Sequence, residues 1–149
     1  MQLTLAHIGS KLPAKDETEI LTARYLGRIA PFARAASEAF RTEDAFLQWL
    51  ERQGGRLPVF PVLLDSRGRA LSSEDLAAWL GARRDEGMQH IAFAIGPADG
   101  WSTEGRRRAG LLLSLGPMTL AHSLARVVLA EQVYRAFTIL SGHPYHTGH

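Results

Sequence analysis

A chain of 149 residues has the length of one domain and can bury a sizeable core, so we expect a single domain over residues 1–149. With 46% hydrophobic and 21% charged residues and no apolar run near the roughly 20 residues that span a bilayer, no membrane partner is expected. The absence of cysteine excludes disulfides and thiolate chemistry, and it agrees with a cytoplasmic location, as does the absence of a signal-peptide pattern in MQLTLAHIGS.

The cations are uneven in type and position. The formal net charge is only +2, yet fifteen of the seventeen cations are arginine, whose fork matches phosphate geometry. Residues 83–84 and 106–108 form small arginine clusters, and no acidic residue follows Glu131. This pattern is typical either of an ordinary solvated surface or of local attraction to a polyanion.

The amino-terminal third shows one strand pattern and one helix pattern before an ambiguous stretch. Residues 3–9 have the apolar character of a short buried strand that ends at a glycine. Residues 15–29 carry apolar side chains at helical spacing, behind acidic residues that favour a helix start. Residues 31–40 are interpreted as a weak strand or an irregular connection.

The middle of the chain repeats the alternation more clearly. Residues 41–55 predict a helix with Thr42 as its N-cap and the pair Gly54 and Gly55 as its end. An apolar run of strand length follows at 57–65, although its prolines argue against regular ladder bonding. Four further segments complete the chain: a serine-capped helix at 72–87, a buried strand at 90–96, a short charged helix at 101–110 and a strand at 111–116.

Three or four apolar strands separated by helices predict an α/β fold, with a mostly parallel sheet and helices on both faces. Ligands in such sheets bind at the carboxyl ends of the strands, so the expected site is formed by the loops at 65–68, 96–100 and 116–119. GPADG, residues 96–100, is neither GxGxxG nor a P-loop and is typical of an ordinary turn or a ligand loop. Because SLGPMT, residues 114–119, repeats the arrangement, a small-molecule pocket is a reasonable hypothesis.

The last helix, from Thr119 to about Leu140, is more apolar than one sheet-facing stripe requires. His122 and Arg126 share one side of it, and Glu131 and Arg135 are spaced for an ion pair on the other. Either this helix is buried within the subunit, or part of it packs against another subunit.

Residues 118–146, MTLAHSLARVVLAEQVYRAFTILSGHPYH, resemble the C-terminal signature of one family. The signature is approximately M/L-T-x-P/A-H-x-x-x-R-V-x-x-x-E-Q/S-x-Y-R-A-x followed by H/E-x-Y-H, and it belongs to the ribosomal large-subunit pseudouridine N3-methyltransferases of the SPOUT superfamily. Four upstream segments also follow one another in the order found in the family: LTLAHIGSK, a strand ending in LLD, IGPADG and SLGPMT. The resemblance covers nearly the whole chain and is weakest over residues 30–56.

This resemblance implies a SPOUT α/β-knot fold, in which the C-terminal part forms a deep trefoil knot, contrary to the usual avoidance of knots. It further implies S-adenosylmethionine as cofactor, a homodimer with shared sites, and 23S rRNA in the assembled ribosome as substrate. The cofactor residues that it implies are Leu64, Asp65, Gly96, Pro97, Gly116, Pro117, Met118, Thr119, Leu120 and Ala121. The chain departs from the family at Pro97, where a second glycine is usual, because proline offers no N–H. Ala121 in place of a proline is a milder departure.

The implied reaction moves a methyl group from a sulfonium to N3 of pseudouridine, so the protein must align the reactants and help to remove an imide proton. No metal is required. Tyr145 is expected to stack on or hydrogen-bond to the base, and His146 to bond to it or accept its proton. Arg126, Arg135 and His143 are the expected RNA contacts.

Several alternatives stay open from the sequence alone. The alternatives for the end of the chain are a packed or frayed terminus and, less favoured, a metal site formed by His143, His146 and His149. His7 and His90 are interpreted as structural, whereas Trp101 beside the glycine turn is a possible nucleotide-stacking residue. The competing functions are a non-catalytic RNA- or ribosome-binding module and a related methyltransferase for another RNA base.

Overall fold

The computed structural model describes residues 1–53 and 57–148, and within them strands and helices alternate strictly. The strands are β1 (Gln2–Ile8), β2 (Arg34–Phe40), β3 (Val59–Ala70), β4 (His90–Ile95) and β5 (Leu111–Ser114). The helices are α1 (Glu17–Ile29), α2 (Glu43–Gln53), α3 (Ser73–Asp85), α4 (Thr103–Arg108) and α5 (His122–Ser141). No helix among these is long and apolar enough to cross a membrane.

The five strands form one sheet in the order β2-β1-β4-β3-β5, and every pair is parallel. The predicted α/β class is thus confirmed, in a more regular form than expected. Helices α1, α3 and α5 pack on one face around Phe93 and Val62, which are fully buried. Helices α2 and α4 lie on the other face, where Phe46 and Trp101 form a smaller core. Both faces of a parallel sheet are therefore covered.

The ambiguous stretch at 31–40 contains an edge strand, β2, which pairs with β1 from Gln2 opposite Arg34 to Ile8 opposite Phe40. Apart from Phe40, its residues are small or polar, and most of them are exposed. The strand pattern in these residues is weak because an edge strand pairs with a neighbour on one side only. Here that neighbour is the buried strand β1.

Strand β3 extends beyond its predicted end at Asp65, so the expected loop at 65–68 is instead a wide bulge inside a strand. Leu113 of β5 pairs with Leu64 before the bulge and with Arg69 after it. A Cβ on Gly68 would lie 2.6 Å from the backbone of Leu112, so only glycine permits this approach.

The helix ends follow the predicted cap chemistry. Thr42 Oγ1 accepts the amide N–H of Ala45, and Ser72 Oγ accepts that of Asp75. The expected stop at Gly54 and Gly55 lies outside the described residues. Helix α5 ends at Gly142, whose φ of 74° places it in the left-handed region.

Most of the apolar surface of α5 is buried within the subunit, against α1, α3 and the sheet. Leu129 and Val133 are almost completely buried, and Leu124 remains half exposed. Met118 and Leu120, in the segment before the helix, are also exposed. Burial within the subunit therefore accounts for the centre of the helix, and the amino-terminal end leaves apolar surface exposed.

Candidate active site

A cleft of about 680 Å³ opens beside the bulge of β3 and the carboxyl end of β4, beneath the start of α5. Its walls include five of the predicted cofactor residues, which the sheet brings together from three separate segments: Leu64, Asp65, Gly96, Pro97 and Leu120. Its size is that of a typical small-molecule site, and its position is the one expected for a parallel sheet.

Trp101 closes the floor of this cleft. Its ring is buried against Phe46, and its indole N–H donates to the carbonyl oxygen of Leu64 at 3.0 Å. A Cβ on Gly96 would lie 2.6 Å from the indole nitrogen, so glycine is required beside the ring. Trp101 therefore packs and braces the two strand ends instead of offering a free face for stacking.

His122 joins the first turn of α5 to the end of β4. Its Nε2 lies 3.0 Å from the carbonyl oxygen of Gly96, and since a carbonyl only accepts, Nε2 carries the proton. The ring packs edge-on to that of His7, with 5.7 Å between centroids. This contact fixes the loop after β4 against the helix.

Asp65 supplies a carboxylate to the wall of the cleft. Burial opposes ionisation, but the amide N–H and the guanidinium of Arg67 both donate to it and hold the pKa of Asp65 below its usual range. The group is therefore charged near neutral pH and can accept hydrogen bonds from hydroxyl donors.

The departure at Pro97 lies in a tight turn. The carbonyl oxygen of Pro97 accepts the amide N–H of Gly100 at 2.9 Å, and Gly100 has a φ of 90°. Pro97 thus contributes ring surface to the cleft, while its carbonyl is used within the turn.

The remaining cofactor candidates follow β5. Gly116 borders a neighbouring cavity of about 400 Å³ between α3 and α5, and its amide N–H donates to Ser114 Oγ. Four residues are exposed in the connection to α5 and do not line the larger cleft: Pro117, Met118, Thr119 and Ala121.

The end of the chain packs on α5 through Glu131. The hydroxyl of Tyr145 donates to Glu131 Oε1 at 2.9 Å, and the guanidinium of Arg135 reaches the same oxygen at 2.7 and 3.1 Å. The predicted ion pair between Glu131 and Arg135 is therefore present. The Tyr145 ring packs on Tyr134 at 4.8 Å and beneath the Arg135 guanidinium at 4.9 Å.

His146 is held at both ring nitrogens. Arg135 Nη1 lies 3.0 Å from Nδ1, which must accept because a guanidinium only donates. The proton is then on Nε2, which donates to Glu74 Oε1 at 2.7 Å. In this arrangement the single lone pair of the ring is occupied by Arg135.

Glu74, Glu131, Arg135, Tyr145 and His146 form what we call the C-terminal cluster. Two pKa shifts determine which of its groups are charged. Burial, together with the hydrogen bond to Glu131, raises the pKa of Tyr145, so the phenol stays protonated and acts as a donor. The amide N–H of Glu74 itself and the His146 ring lower the pKa of the Glu74 carboxyl. Glu74 therefore faces His146 as a carboxylate at neutral pH.

The predicted RNA contacts differ in their surroundings. Arg126 is 5% exposed, and its guanidinium donates to Glu19 at 3.0 Å, so it braces α1 against α5. Arg135 is half-buried in the C-terminal cluster, whereas His143 is exposed and accepts the amide N–H of Tyr145 at Nδ1.

Within one subunit the C-terminal cluster and the cleft remain separate: neither Tyr145 nor His146 lines the cleft. Among residues 1–53 and 57–148, no three histidine, cysteine, aspartate or glutamate side chains are grouped closely enough to hold a metal ion. His149, the third ligand of the alternative metal site, lies outside these residues.

Sequence reasoning missed Glu74 and the structural role of Trp101. Glu74 meets His146 across 72 positions, and no local pattern signals such a contact. The indole of Trp101 reaches Leu64 across 37 positions. For Trp101, the only signal in the sequence was an apolar residue directly after a glycine turn.

The parallel sheet, with its cleft beside the bulge of β3 and a long closing helix, defines an α/β protein with a cleft of small-molecule size. The family model described as "Predicted SPOUT methyltransferase" matches residues 1–146, and the chain belongs to the SPOUT methyltransferase family. The resemblance read from the sequence is therefore confirmed.

Curated relatives match over the full length. A protein of Koribacter versatilis (strain Ellin345), named ribosomal RNA large subunit methyltransferase H, is 46% identical over 149 residues, which is 100% of both chains. A protein of the same name from Xanthobacter autotrophicus (strain ATCC BAA-1158 / Py2) is 42% identical, over 98% of this chain and 99% of its own. The structure of a probable methylase family protein from Haemophilus influenzae Rd KW20 has a TM-score of 0.58 at 10% identity. That likeness covers 96% of this chain and 69% of the other, and it concerns the fold alone.

Proposed function

We propose that this protein is an S-adenosylmethionine-dependent methyltransferase that acts on N3 of a pseudouridine in 23S rRNA. The observation that carries the proposal is the full-length match to relatives named ribosomal RNA large subunit methyltransferase H, in a chain whose cleft gathers Leu64, Gly96 and Leu120. Residues 1–149 act as one domain in this proposal, with the C-terminal segment threaded as a trefoil knot and the protein working in the cytoplasm.

The cleft fits the cofactor in size and in chemistry. A group of nucleoside size suits a cavity of about 680 Å³. The Asp65 carboxylate is an acceptor for ribose hydroxyls, and Leu64 and Leu120 give apolar surface. When bound, S-adenosylmethionine supplies an activated methyl group on a sulfonium.

The residues of the chain would then position the substrate. In the proposed site Tyr145 donates or stacks, and Arg135 holds an RNA phosphate. His146 can take the imide proton only at Nδ1, because Nε2 donates to Glu74. If Arg135 donated to an RNA phosphate instead of to His146 Nδ1, the Nδ1 lone pair would be free to accept the proton.

A homodimer brings these parts together in our proposal. The C-terminal cluster and the cleft are separate in one subunit, and apolar surface is exposed near the start of α5 at Met118, Leu120 and Leu124. Packing a second copy there would cover this surface and bring its Tyr145 and His146 to the cleft. Sedimentation at micromolar concentration should show a dimer, and a fully active monomer would contradict the shared site.

The test of the reaction uses ribosomes from a strain that lacks the gene. Incubation with S-adenosylmethionine should add one methyl group to a pseudouridine of 23S rRNA, detected by mass spectrometry of nuclease fragments. Methylation of another base would assign a different target to the enzyme. If calorimetry shows no cofactor binding at millimolar concentration, the protein is instead a non-catalytic RNA- or ribosome-binding module. Pro97 is then the first residue to test as the cause.

A further inference from the structure

We propose that a second cleft, at the carboxyl ends of β1 and β2, binds a backbone phosphate of the RNA next to the methylated nucleotide. This inference rests on the proposed function. It concerns the β1–β2 cleft, which we define as the two adjoining cavities of about 820 and 370 Å³ that share His7, Gly9, Ser10, Leu12 and Arg126. None of the residues in this cleft that contact the proposed phosphate belongs to the cofactor cleft.

The topology places this cleft where parallel sheets bind ligands. From β1 the chain crosses to β2 on one side, whereas from β4 it crosses to β5 on the other. The crevice between the carboxyl ends of β1 and β4 is therefore a topological switch point. The smaller of the two cavities opens there, between His7 of β1 and Ala98 after β4.

The two clefts share a wall. His122 and Ala98 line both the cofactor cleft and the smaller cavity of the β1–β2 cleft. A nucleotide bound beyond this wall would thus lie next to a cofactor in the first cleft.

Donors for a phosphate are present and unused. Lys11 and Arg41 line the larger cavity and make no ion pair among the described residues. The amide N–H groups of Ser10, Lys11 and Leu12 also make no hydrogen bond within that part of the chain. Adjacent free amides and two cations are the donor types that hold phosphate oxygens.

The remaining charges of the cleft leave a positive balance. Glu19 also lines the larger cavity but pairs with the buried Arg126, so these two charges offset each other. Glu38 is exposed on the wall and opposes Lys11 and Arg41. One carboxylate against two cations still favours an anion, and Arg126 contributes as a buried brace beneath the site.

The loop is held in place before any ligand arrives. His7 Nε2 donates to the carbonyl oxygen of Ser10 at 2.9 Å, and the amide N–H of Gly9 donates to Phe40 at the end of β2. Gly9 has a φ of 144°, in the region that favours glycine, so the chain turns sharply here. A preorganised loop loses little entropy when it binds.

The test compares two double variants of equal charge change. Lys11→Ala with Arg41→Ala removes both cations of the cleft. Lys15→Ala with Arg34→Ala is the control, because Lys15 is exposed outside the cavity walls and Arg34 lies at the opposite end of β2. For each we would measure S-adenosylmethionine affinity, kcat and KM for methylation, and ribosome binding by co-sedimentation.

We expect the cleft variant to raise KM and weaken ribosome binding about tenfold, with kcat and cofactor affinity close to wild type. The slope of log affinity against log salt should fall by about 1 for each lost phosphate contact. A cleft variant that matches the control in binding and salt slope would overturn the inference. Lys11→Glu is a second variant, which should weaken ribosome binding more than Lys11→Ala alone. Its melting temperature checks that the fold is intact.

The two proposals fail in different ways. A wild-type protein without cofactor binding or methyl transfer contradicts the proposed function, whereas the ribosome-binding comparison still tests the cleft. A wild-type protein that is active, with a cleft variant that binds ribosomes like the control, contradicts the cleft alone.

Discussion

Glu131 is the residue on which the C-terminal cluster depends. One of its oxygens accepts from Arg135 and Tyr145, and the other accepts from Gln132. Removing the carboxylate would leave a half-buried guanidinium and a phenol without their main acceptor.

Glu131→Ala should lower the free energy of unfolding by about 1–3 kcal/mol, because two donors lose a partly buried acceptor. Urea denaturation measures the change. Glu86→Ala removes an exposed pair with Arg83 and should change stability by less than about 0.5 kcal/mol. Equal effects of the two substitutions would contradict the central role of Glu131.

His146→Ala tests the proposed role of the ring in catalysis. We expect methyl transfer to fall by about 100-fold, the lower end of what a positioned acid–base group contributes, with cofactor affinity nearly unchanged. Thr147→Ala is the control, since its hydroxyl only donates to the Pro144 carbonyl oxygen. Equal loss of transfer and cofactor binding would place His146 in the folding or cofactor apparatus.

At the scale of elements, the junction of β3 with β5 decides where the cleft opens. The bulge between Leu64 and Arg69 ends the first part of β3 at the cleft wall and then returns the chain to the sheet. Gly68 lies against the backbone of Leu112, so the bulge closes only without a side chain there. Packing of two strands, rather than a loop sequence, therefore shapes the site.

Gly68→Ala should destabilise the protein by about 1–3 kcal/mol, because its Cβ meets rigid backbone at 2.6 Å. Gly27→Ala is the matched control, in an exposed position of α1 where nothing lies within 4 Å of the added carbon. It should stabilise by about 0.5–1 kcal/mol. Thermal or urea unfolding would show opposite signs, and the same sign for both would refute the bulge argument.

At the scale of the whole molecule, two buried histidines link stability to pH. His7 and His90 are each 4% exposed, and burial lowers the pKa of both. In the unfolded chain the pKa of each is about 6.5, so around that pH the unfolded state binds more protons than the folded state. The free energy of unfolding therefore rises with pH across the window from the depressed folded values to about 6.5.

Acidification from pH 7 to pH 5 should reduce the free energy of unfolding, before carboxylates contribute. The carboxyls of Asp16, Asp65, Glu74 and Glu104 have lowered pKa values, and their stabilisation is lost only on further acidification, below about pH 4.5. Urea titrations at several pH values measure both stages. His90→Gln should flatten the first stage relative to the exposed control His143→Ala, and a flat wild-type profile above pH 5 would be the contrary result.

Periodicity and cap chemistry in the sequence determined most elements and the α/β class, because these signals are local. They placed β4 within one residue and gave the Thr42 and Ser72 caps. The family signature and the glycine turns also located the cleft at Leu64 and Gly96, since both lie at the ends of predicted strands.

Only the tertiary structure decided the edge strand β2, the bulge of β3 and the burial of Arg126. It also decided the pairing of Glu74 with His146 and the cleft beyond His122. These features join residues that are far apart in the chain. Their energies come from packing and desolvation, which depend on neighbours that no local pattern specifies.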